Sequence, residues 1–225
     1  MGVLLLVRHG QASLGTADYD RLSETGRRQA EILGARLART DLAIDRVVSG
    51  ALTRQRDTAH AVMAALGLPG SRLQTDERLD EYDHVGVMAQ HTDEVTFATA
   101  TADGEVGRAL QATLEEAIGR WITGGTGYGE TGYGETHDAF VERVLDVVRH
   151  LVAAPGGTVA VTSGGVIAAF CAQALGLPLE RWPGLARMLV NASITKVISG
   201  HTGTNLVTFN DHAHLEADRT LITYR

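Results

Sequence analysis

Three residues near the start of the sequence, Arg8, His9 and Gly10, carry groups that could act together on a small tetrahedral anion. The imidazole of His9 can offer an unprotonated nitrogen as a nucleophile. The planar guanidinium of Arg8 can bind two oxygens of the anion, and Gly10 lets the backbone approach it closely. A histidine in this position can also serve only as a hydrogen-bonding partner for a loop, so the triplet alone leaves both interpretations open.

Arg54 is a second candidate for binding an anion because of its place in the chain. The sequence Ser49-Gly50-Ala51-Leu52-Thr53-Arg54 predicts the start of a helix, which places Arg54 in the first turns. Free backbone N–H groups and the positive end of the helix dipole both favour an anion at such a position. For Arg56 we favour a solvent-exposed helix face.

Hydrophobic patterning predicts alternating strands and helices along the chain. Residues 3–7 form an apolar run without polar alternation, which is typical of a central parallel strand covered on both faces. Apolar residues at helical spacing in 25–39 predict a helix that Ser23 or Thr25 can cap. The other predicted strands are 45–48, 158–161, 193–198 and 205–209, and the other predicted helices are 52–66, 109–122, 139–152 and 165–175.

This alternation predicts one α/β domain over residues 1–225, built as a three-layer α/β/α sandwich with a mainly parallel central sheet. In such folds the ligand crevice lies outside the carboxyl ends of the strands. The turns at 8–11 and 162–165 both follow predicted strands. We therefore expect these two turns to border the crevice.

Two stretches do not follow the alternating pattern. Residues 83–104 are polar and mixed, and we interpret them as part of a cap segment, around 83–135, that lies over the crevice. Residues 126–135 repeat the pentapeptide Thr-Gly-Tyr-Gly-Glu, which predicts a flexible loop. Their glycines match a dinucleotide-binding pattern, but no strand leads into them, so we expect no nucleotide cofactor.

The overall composition narrows the classes of partner and location. The formal net charge of -7 and the absence of a compact basic patch argue against nucleic acid as the main partner. No apolar run approaches the roughly 18 residues that cross a bilayer, and the N-terminus lacks the features of a signal peptide, so we expect a cytoplasmic protein without a membrane partner. The single cysteine, Cys171, excludes an internal disulfide and is expected to be a buried thiol. The histidine spacings indicate no metal site.

Seven spaced motifs run along most of the chain. They are Leu6-Val7-Arg8-His9-Gly10-Gln11, Leu22-Ser23-x-x-Gly26-x-x-Gln29-Ala30, Ser49-x-x-Leu52-x-Arg54-x-x-x-Thr58-Ala59, Glu77-Arg78-Leu79-Asp80-Glu81, Glu135-Thr136, Val161-Thr162-Ser163-Gly164-Gly165-Val166-Ile167 and Asn191-Ala192-Ser193-Ile194. Together they resemble the histidine phosphatase superfamily, also called phosphoglycerate mutase-like. They occur in the family's order, and several spaced motifs in register are far more specific than Arg-His-Gly alone.

The resemblance implies a role for each matching residue. His9 would become phosphohistidine, Arg8 and Arg54 would hold the phosphoryl oxygens, and Glu81 would protonate the leaving oxygen. Fixed donors around the phosphoryl group and a carboxylic acid beside the leaving group suit this chemistry, provided that burial or a nearby phosphate raises the pKa of the acid. Glu77 is the rival for the acid. The remaining implied phosphate-binding residues are Gln11, Ser163 and Gly164.

Ser163 departs from the family pattern, which has a second histidine before the two glycines. A serine offers only a neutral hydroxyl, so a charge-assisted contact with phosphate, in the range of about 1.5–3 kcal/mol, is lost. His84, three residues after Glu81, is our candidate for replacing it.

Three alternatives to a phosphatase remain open. Ser163 before a glycine and a helix resembles the nucleophile of a serine hydrolase, with Asp211 and His214 as partners, but that motif needs a glycine where this chain has Val161. A pseudoenzyme weakened by Ser163 could bind phosphorylated ligands without turnover, although binding alone does not need His9. The third alternative is phosphoryl transfer of the phosphoglycerate mutase type.

The choice between hydrolysis and mutase activity depends on the residues after Glu81. A mutase must bind a carboxylated substrate, yet residues 82–104 contain no lysine or arginine. The sequence therefore favours hydrolysis of a phosphomonoester through a phosphohistidine on His9, with a small phosphorylated substrate and no cofactor. The predicted strands at 193–198 and 205–209 have the composition of edge strands. Because an edge strand can pair with that of a second copy of the chain, dimer formation stays an open alternative.

Overall fold

The computed structural model describes residues 1–13, 20–89, 105–124, 134–200 and 203–224, apart from the side chains of 105–111 and 179. The strands are β1 (Gly2–Arg8), β2 (Ile44–Ser49), β3 (Gln74–Thr75), β4 (Gly156–Thr162), β5 (Ile194–Gly200) and β6 (Gly203–Asp211). The helices are α1 (Glu24–Leu37), α2 (Thr53–Ala65), α3 (His84–Ala89), α4 (Glu105–Ile122), α5 (His137–Ala153), α6 (Gly164–Ala174) and α7 (Trp182–Met188).

The six strands form one sheet in the order β3-β2-β4-β1-β5-β6. Strands β3, β2, β4 and β1 run parallel to one another, whereas β5 runs antiparallel to β1 and to β6. The central sheet is therefore mainly parallel, as the sequence predicted. The carboxyl ends of β1, β2 and β4 lie at the same edge.

The two faces of β1 support separate hydrophobic clusters. Leu4 and Leu6 belong to the cluster that includes buried residues of α5 and α6, and Leu5 and Val7 belong to the cluster that includes buried residues of α1 and α2. Because helices cover both faces, the strand needs apolar residues at every position, which explains its lack of alternation. The three-layer α/β/α sandwich is confirmed.

Several short elements were missed by the sequence analysis. Strand β3 has two residues and α3 has six, so neither is long enough to show a clear period in the sequence. Helix α7 carries Pro183 and Gly184 but is held by Trp182, which is only 1% exposed. Helix α4 begins at Glu105 rather than near residue 109. Tertiary packing, rather than local periodicity, determines these elements.

The predicted cap segment around 83–135 is described only in part. Helices α3 and α4 belong to it, but residues 90–104 and 125–133 lie outside the described residues, and so does most of the loop predicted at 126–135. Among the described residues, no helix is long and apolar enough to cross a membrane. Cys171 is a buried free thiol, and burial raises its pKa to about 12, as expected for an inert core residue.

Candidate active site

The two predicted crevice turns lie beside each other because they follow neighbouring parallel strands. Strand β1 ends at Arg8 and β4 ends at Thr162. The backbone N–H of His9 donates to the carbonyl oxygen of Thr162 at 2.9 Å, and the N–H of Gly50, which follows β2, donates to Val161 O at 3.1 Å. Three strand ends thus place the motif residues at one edge of the sheet.

The imidazole of His9 is held in the form that can act as a nucleophile. Its Nδ1 lies 2.7 Å from the carbonyl oxygen of Gly10, which can only accept, so Nδ1 carries the proton. Nε2 is then left with its lone pair, and Arg54 Nε donates to it at 3.1 Å. Burial lowers the pKa of His9 well below 6.5, and the positive charges of Arg54 and Arg8 lower it further. The ring is therefore neutral near pH 7.

The two arginines are buried and oriented by other parts of the chain. Arg8 donates to the carbonyl oxygen of Leu189 and, at 3.0 Å, to that of Tyr224. Arg54 Nη1 forms an ion pair with Asp20 Oδ1 at 2.6 Å. Both guanidinium groups lie close enough to lower the pKa of His9, so positive charge lies near the unprotonated ring. This arrangement suits an anion placed next to the imidazole.

The first amide group of α2 is not free, which corrects our expectation of free amide groups at the start of this helix. The N–H of Thr53, the first residue of α2, donates to Asp20 Oδ2 at 2.7 Å, and the N–H of Ala51, two residues before the helix, donates to Asp80 Oδ1 at 2.6 Å. Carboxylates of the protein itself therefore occupy these two backbone donors. Arg54 contributes to the site through its side chain rather than through the helix start.

Glu81 lies on the other side of the crevice, next to the start of α6. The backbone N–H of Gly165 donates to Glu81 Oε2 at 3.1 Å. A Cβ on Gly165 would lie 2.2 Å from Glu81 Oε1, so only glycine leaves room for the carboxyl group. Burial raises the pKa of Glu81 above 4.5, although Gly165 and the two arginines oppose the shift. The rival acid, Glu77, is exposed to solvent.

A cleft of about 150 Å³ opens beside Arg8 and Glu81. Its floor includes Gly164 and Gly165, and its walls include the aromatic side chains of Tyr82 and Trp182. A larger cleft of about 740 Å³ lies around α5 and α6, and none of the predicted site residues lines it. The small cleft is therefore the natural place for the group attached to a bound phosphate.

Comparison with known proteins identifies the family. The family model of the histidine phosphatase superfamily (branch 1) matches residues 4–212, which is most of the chain. The chain belongs to the histidine phosphatase superfamily. The family indicated by the sequence motifs is thereby confirmed.

Relatives within this family include phosphatases and mutases. A glucosyl-3-phosphoglycerate phosphatase from Mycolicibacterium vanbaalenii is 34% identical over 215 residues, covering 88% of this chain and 84% of that protein. A 2,3-bisphosphoglycerate-dependent phosphoglycerate mutase from Azorhizobium caulinodans is 35% identical over 98 residues, covering 41% of this chain and 48% of the mutase. This chain thus spans about half the length of that mutase, and its match covers 26% of the Caenorhabditis briggsae mitochondrial phosphatase Pgam5.

A solved structure shows the same architecture. A mycobacterial glucosyl-3-phosphoglycerate phosphatase, determined with inorganic phosphate, has a TM-score of 0.61 and 27% identity, covering 95% of this chain and 99% of that one. The likeness over nearly the whole length agrees with the α/β fold of the superfamily.

Ser163, where the family pattern has a histidine, is fully buried at the start of α6. Gln55 Nε2 donates to Ser163 Oγ at 2.9 Å and also lies 3.1 Å from the carbonyl oxygen of Leu79. The serine hydrolase alternative requires a histidine beside Ser163, whereas His214 Nε2 lies 3.1 Å from the carbonyl oxygen of Ala192. The contacts of Ser163 among the described residues therefore do not support that alternative.

The other predicted residues lie around the same crevice edge. Gln11 Oε1 accepts from Ser23 Oγ at 2.8 Å, and a Cβ on Gly164 would lie 3.6 Å from Arg8 Nε. His84 begins α3; burial and the charge of Arg54 lower its pKa. The phosphate contacts of Gln11, Ser163 and Gly164, and the replacement of the second histidine by His84, stay predictions.

Two residues that contact the site were missed in the sequence analysis. Asp20 holds Arg54 from 34 positions away, and Gln55 contacts Ser163 from 108 positions away. Asp20 stands outside the motifs, and Gln55 occupies an unassigned position in the motif that begins at Ser49. Their roles depend on which loops meet at the crevice, and no local pattern carries that information.

Proposed function

We propose that this chain hydrolyses phosphomonoesters through a phosphohistidine intermediate on His9. The observation that carries the proposal is the state of the imidazole: Nδ1 donates to Gly10, and Nε2 has its lone pair beside Arg54 at 3.1 Å. A neutral histidine between two buried guanidinium groups is suited to attack a phosphoryl group whose oxygens those groups neutralise.

The first half of the proposed reaction transfers the phosphoryl group to the protein. Nε2 of His9 forms a bond to phosphorus while the bond between phosphorus and the alcohol oxygen breaks. Arg54 moves its donor from Nε2 to a phosphoryl oxygen, and Arg8 binds the oxygens from the other side. Protonated Glu81 gives its proton to the leaving oxygen, so that the alcohol departs neutral.

The second half returns the protein to its starting state. A water molecule attacks phosphorus and the bond to Nε2 breaks, releasing inorganic phosphate. The carboxylate of Glu81 accepts the proton of the attacking water and is then ready to act as an acid again. The raised pKa of Glu81 supports both roles, because the group holds its proton to a higher pH than an exposed carboxyl group does.

Two observations favour water over a sugar acid as the final acceptor. The residues after Glu81, 82–104, contain no lysine or arginine that could bind a carboxylated acceptor. The glucosyl-3-phosphoglycerate phosphatase matches over 84% of its length, whereas the Azorhizobium caulinodans mutase matches over 48% of its length. Small phosphorylated compounds are the proposed substrate class.

The test is hydrolysis of p-nitrophenyl phosphate by the protein and by His9→Ala. We expect release of phosphate from the unchanged protein and a loss of at least about a thousandfold in His9→Ala, because this variant lacks the proposed nucleophile. His150→Ala, an exposed histidine on α5, is the matched control and should retain activity. A phosphoprotein that is labile in acid and stable in alkali should form only when His9 is present.

Three outcomes would contradict parts of the proposal. Equal hydrolysis by His9→Ala would remove His9 as the nucleophile. Phosphate binding without turnover would favour a pseudoenzyme weakened by Ser163. Transfer of the phosphoryl group to added 3-phosphoglycerate, faster than to water, would favour a mutase.

A further inference from the structure

The cleft beside Glu81 adjoins a second cleft farther from His9. The inner cleft has a volume of about 150 Å³ and the outer cleft one of about 260 Å³. Three residues line both: Glu115, Pro183 and Arg187. These shared residues form the boundary between the two spaces.

One ion pair connects the two sides of this boundary. Arg187 Nη1, on α7, donates to Glu115 Oε1, on α4. The side chains are 55% and 42% exposed, and an ion pair between such exposed groups contributes little to stability. The pair can therefore separate at low cost and join the two clefts without unfolding either helix.

The inner cleft lies where a leaving group would be. Glu81, the proposed proton donor, lines it together with Arg8, which would hold the phosphoryl oxygens. Its walls include Tyr82, Ile118 and Trp182, which suit an apolar group. A cavity of about 150 Å³ with apolar walls is large enough for a benzene ring.

The outer cleft is the larger of the two. Its charged lining residues comprise two acids, Glu115 and Glu180, and two bases, Arg181 and Arg187. Because these charges balance, the outer cleft does not favour either an anionic or a cationic group. A neutral extension of the leaving group is the chemistry that fits.

We propose that the Glu115–Arg187 pair is a gate that sets how long a leaving group the site accepts. Esters of compact, neutral, largely apolar alcohols fit within the inner cleft while the pair is closed. Longer alcohols require the pair to separate, so that their distal part lies in the outer cleft. This inference rests on the proposed function, because Glu81 and Arg8 define the inner cleft as the leaving-group side.

The test compares phenyl phosphate, which fits the inner cleft, with biphenyl-4-yl phosphate, which does not. The measured quantity is the ratio of kcat/KM for the longer ester to that for the shorter one. We expect Arg187→Ala and Glu115→Ala each to raise this ratio about tenfold, the scale on which a pocket discriminates between hydrophobic groups of different size.

Two further variants separate gating from a general effect of mutation. Combining Glu115→Arg with Arg187→Glu restores an ion pair with exchanged charges and should return the ratio toward that of the unchanged protein. Arg28→Ala removes an exposed ion pair with Glu31 on α1, far from both clefts in the chain, and should leave the ratio unaltered.

Binding of phenylphosphonate and biphenyl-4-ylphosphonate, measured by calorimetry, makes the gate testable without turnover. A shift in relative affinity toward the longer phosphonate in both alanine variants supports the gate even if no ester is hydrolysed, in which case only the proposed function fails. Unaltered ratios in both alanine variants, for the esters and the phosphonates, would overturn the gate. A charge-exchanged variant that behaves like the alanine variants would also overturn it.

Discussion

At the scale of single residues, burial shifts the pKa values of His9 and Glu81 in opposite directions. Burial disfavours the charged form of either group, so it lowers the pKa of the imidazole and raises that of the carboxyl group. The neutral forms are the ones that phosphoryl transfer needs, a histidine with a lone pair and an acid with a proton. The same cause thus prepares both partners of the proposed reaction.

These shifts predict a bell-shaped dependence of kcat/KM on pH. On the acid side activity falls as pH drops through the lowered pKa of His9, which lies below 6.5, because the protonated ring cannot attack. On the alkaline side activity falls as pH rises through the raised pKa of Glu81, which lies above 4.5, because the carboxylate cannot protonate the leaving oxygen. Steady-state kinetics with phenyl phosphate across pH would show both limbs.

Glu81→Gln separates the two limbs in this profile. We expect kcat/KM to fall about a hundredfold and the alkaline limb to weaken, since the amide has no proton to lose in this range. Ionisation of the substrate is the same for both proteins and cancels in the comparison. Glu77→Gln, at an exposed position, is the control and should keep the original profile. An unchanged alkaline limb in Glu81→Gln would assign that limb to another group.

At the scale of elements, the turn after β1 and the first turn of α1 meet through two glycines. A Cβ on Gly10 would lie 2.4 Å from the carbonyl oxygen of Gly26, and a Cβ on Gly26 would lie 2.1 Å from that of Gln11. These contacts are with backbone atoms, which cannot rotate aside as a side chain could. The close approach fixes the loop that carries His9 against α1.

Gly10→Ala is therefore expected to lower the free energy of unfolding by about 1–3 kcal/mol, as overpacking does in a tightly packed region. Gly119→Ala is the matched control, because Gly119 lies within α4 and a Cβ there meets no atom of the described residues within 4 Å. That change should raise the free energy of unfolding by about 0.5–1 kcal/mol through helix propensity. Urea unfolding measures both, and a Gly10→Ala protein as stable as the original would contradict the tight approach.

At the scale of the whole molecule, residues 219–224 connect the far end of the sequence to the site. Tyr224 O accepts from Arg8 at 3.0 Å. Leu221 O and Thr223 Oγ1 both accept from Gln29 Nε2 at 2.8 Å, and Gln29 is fully buried on α1. The segment thus orients Arg8, a proposed phosphate-binding residue, and accepts the hydrogen bonds of the buried Gln29 amide.

Two deletions should separate the orientation of Arg8 from the hydrogen bonding of Gln29. Removing residues 224–225 takes away one acceptor of Arg8, the carbonyl oxygen of Tyr224, and leaves that of Leu189. This deletion should lower kcat/KM for phenyl phosphate by about tenfold, because the arginine is less well oriented. Removing residues 219–225 also takes away both acceptors of Gln29 Nε2. This longer deletion should lower the free energy of unfolding by a further amount of about 1–3 kcal/mol. Kinetics and urea unfolding of the two proteins test this, and equal activity in both deletions and the original would show that the segment does not position Arg8.

The sequence by itself determined the family, the order of the long elements and the choice of His9 as the proposed nucleophile. These features depend on local information: the uninterrupted apolar run of β1, the helical periodicity of α1 and α5, and motifs that place His9 and Arg54 directly after a strand and at the start of a helix. Such patterns can be recognised in a single sequence because each is set by the geometry of one strand or helix.

Only the tertiary structure decided which distant groups meet. Asp20 holds Arg54, Gln55 contacts Ser163, and the Glu115–Arg187 pair divides two clefts. Each contact joins side chains whose separation in space depends on how whole elements pack, so no spacing along the chain encodes it. The same reason explains why the short helices α3 and α7 escaped prediction, because their stability comes from their neighbours rather than from their own few residues.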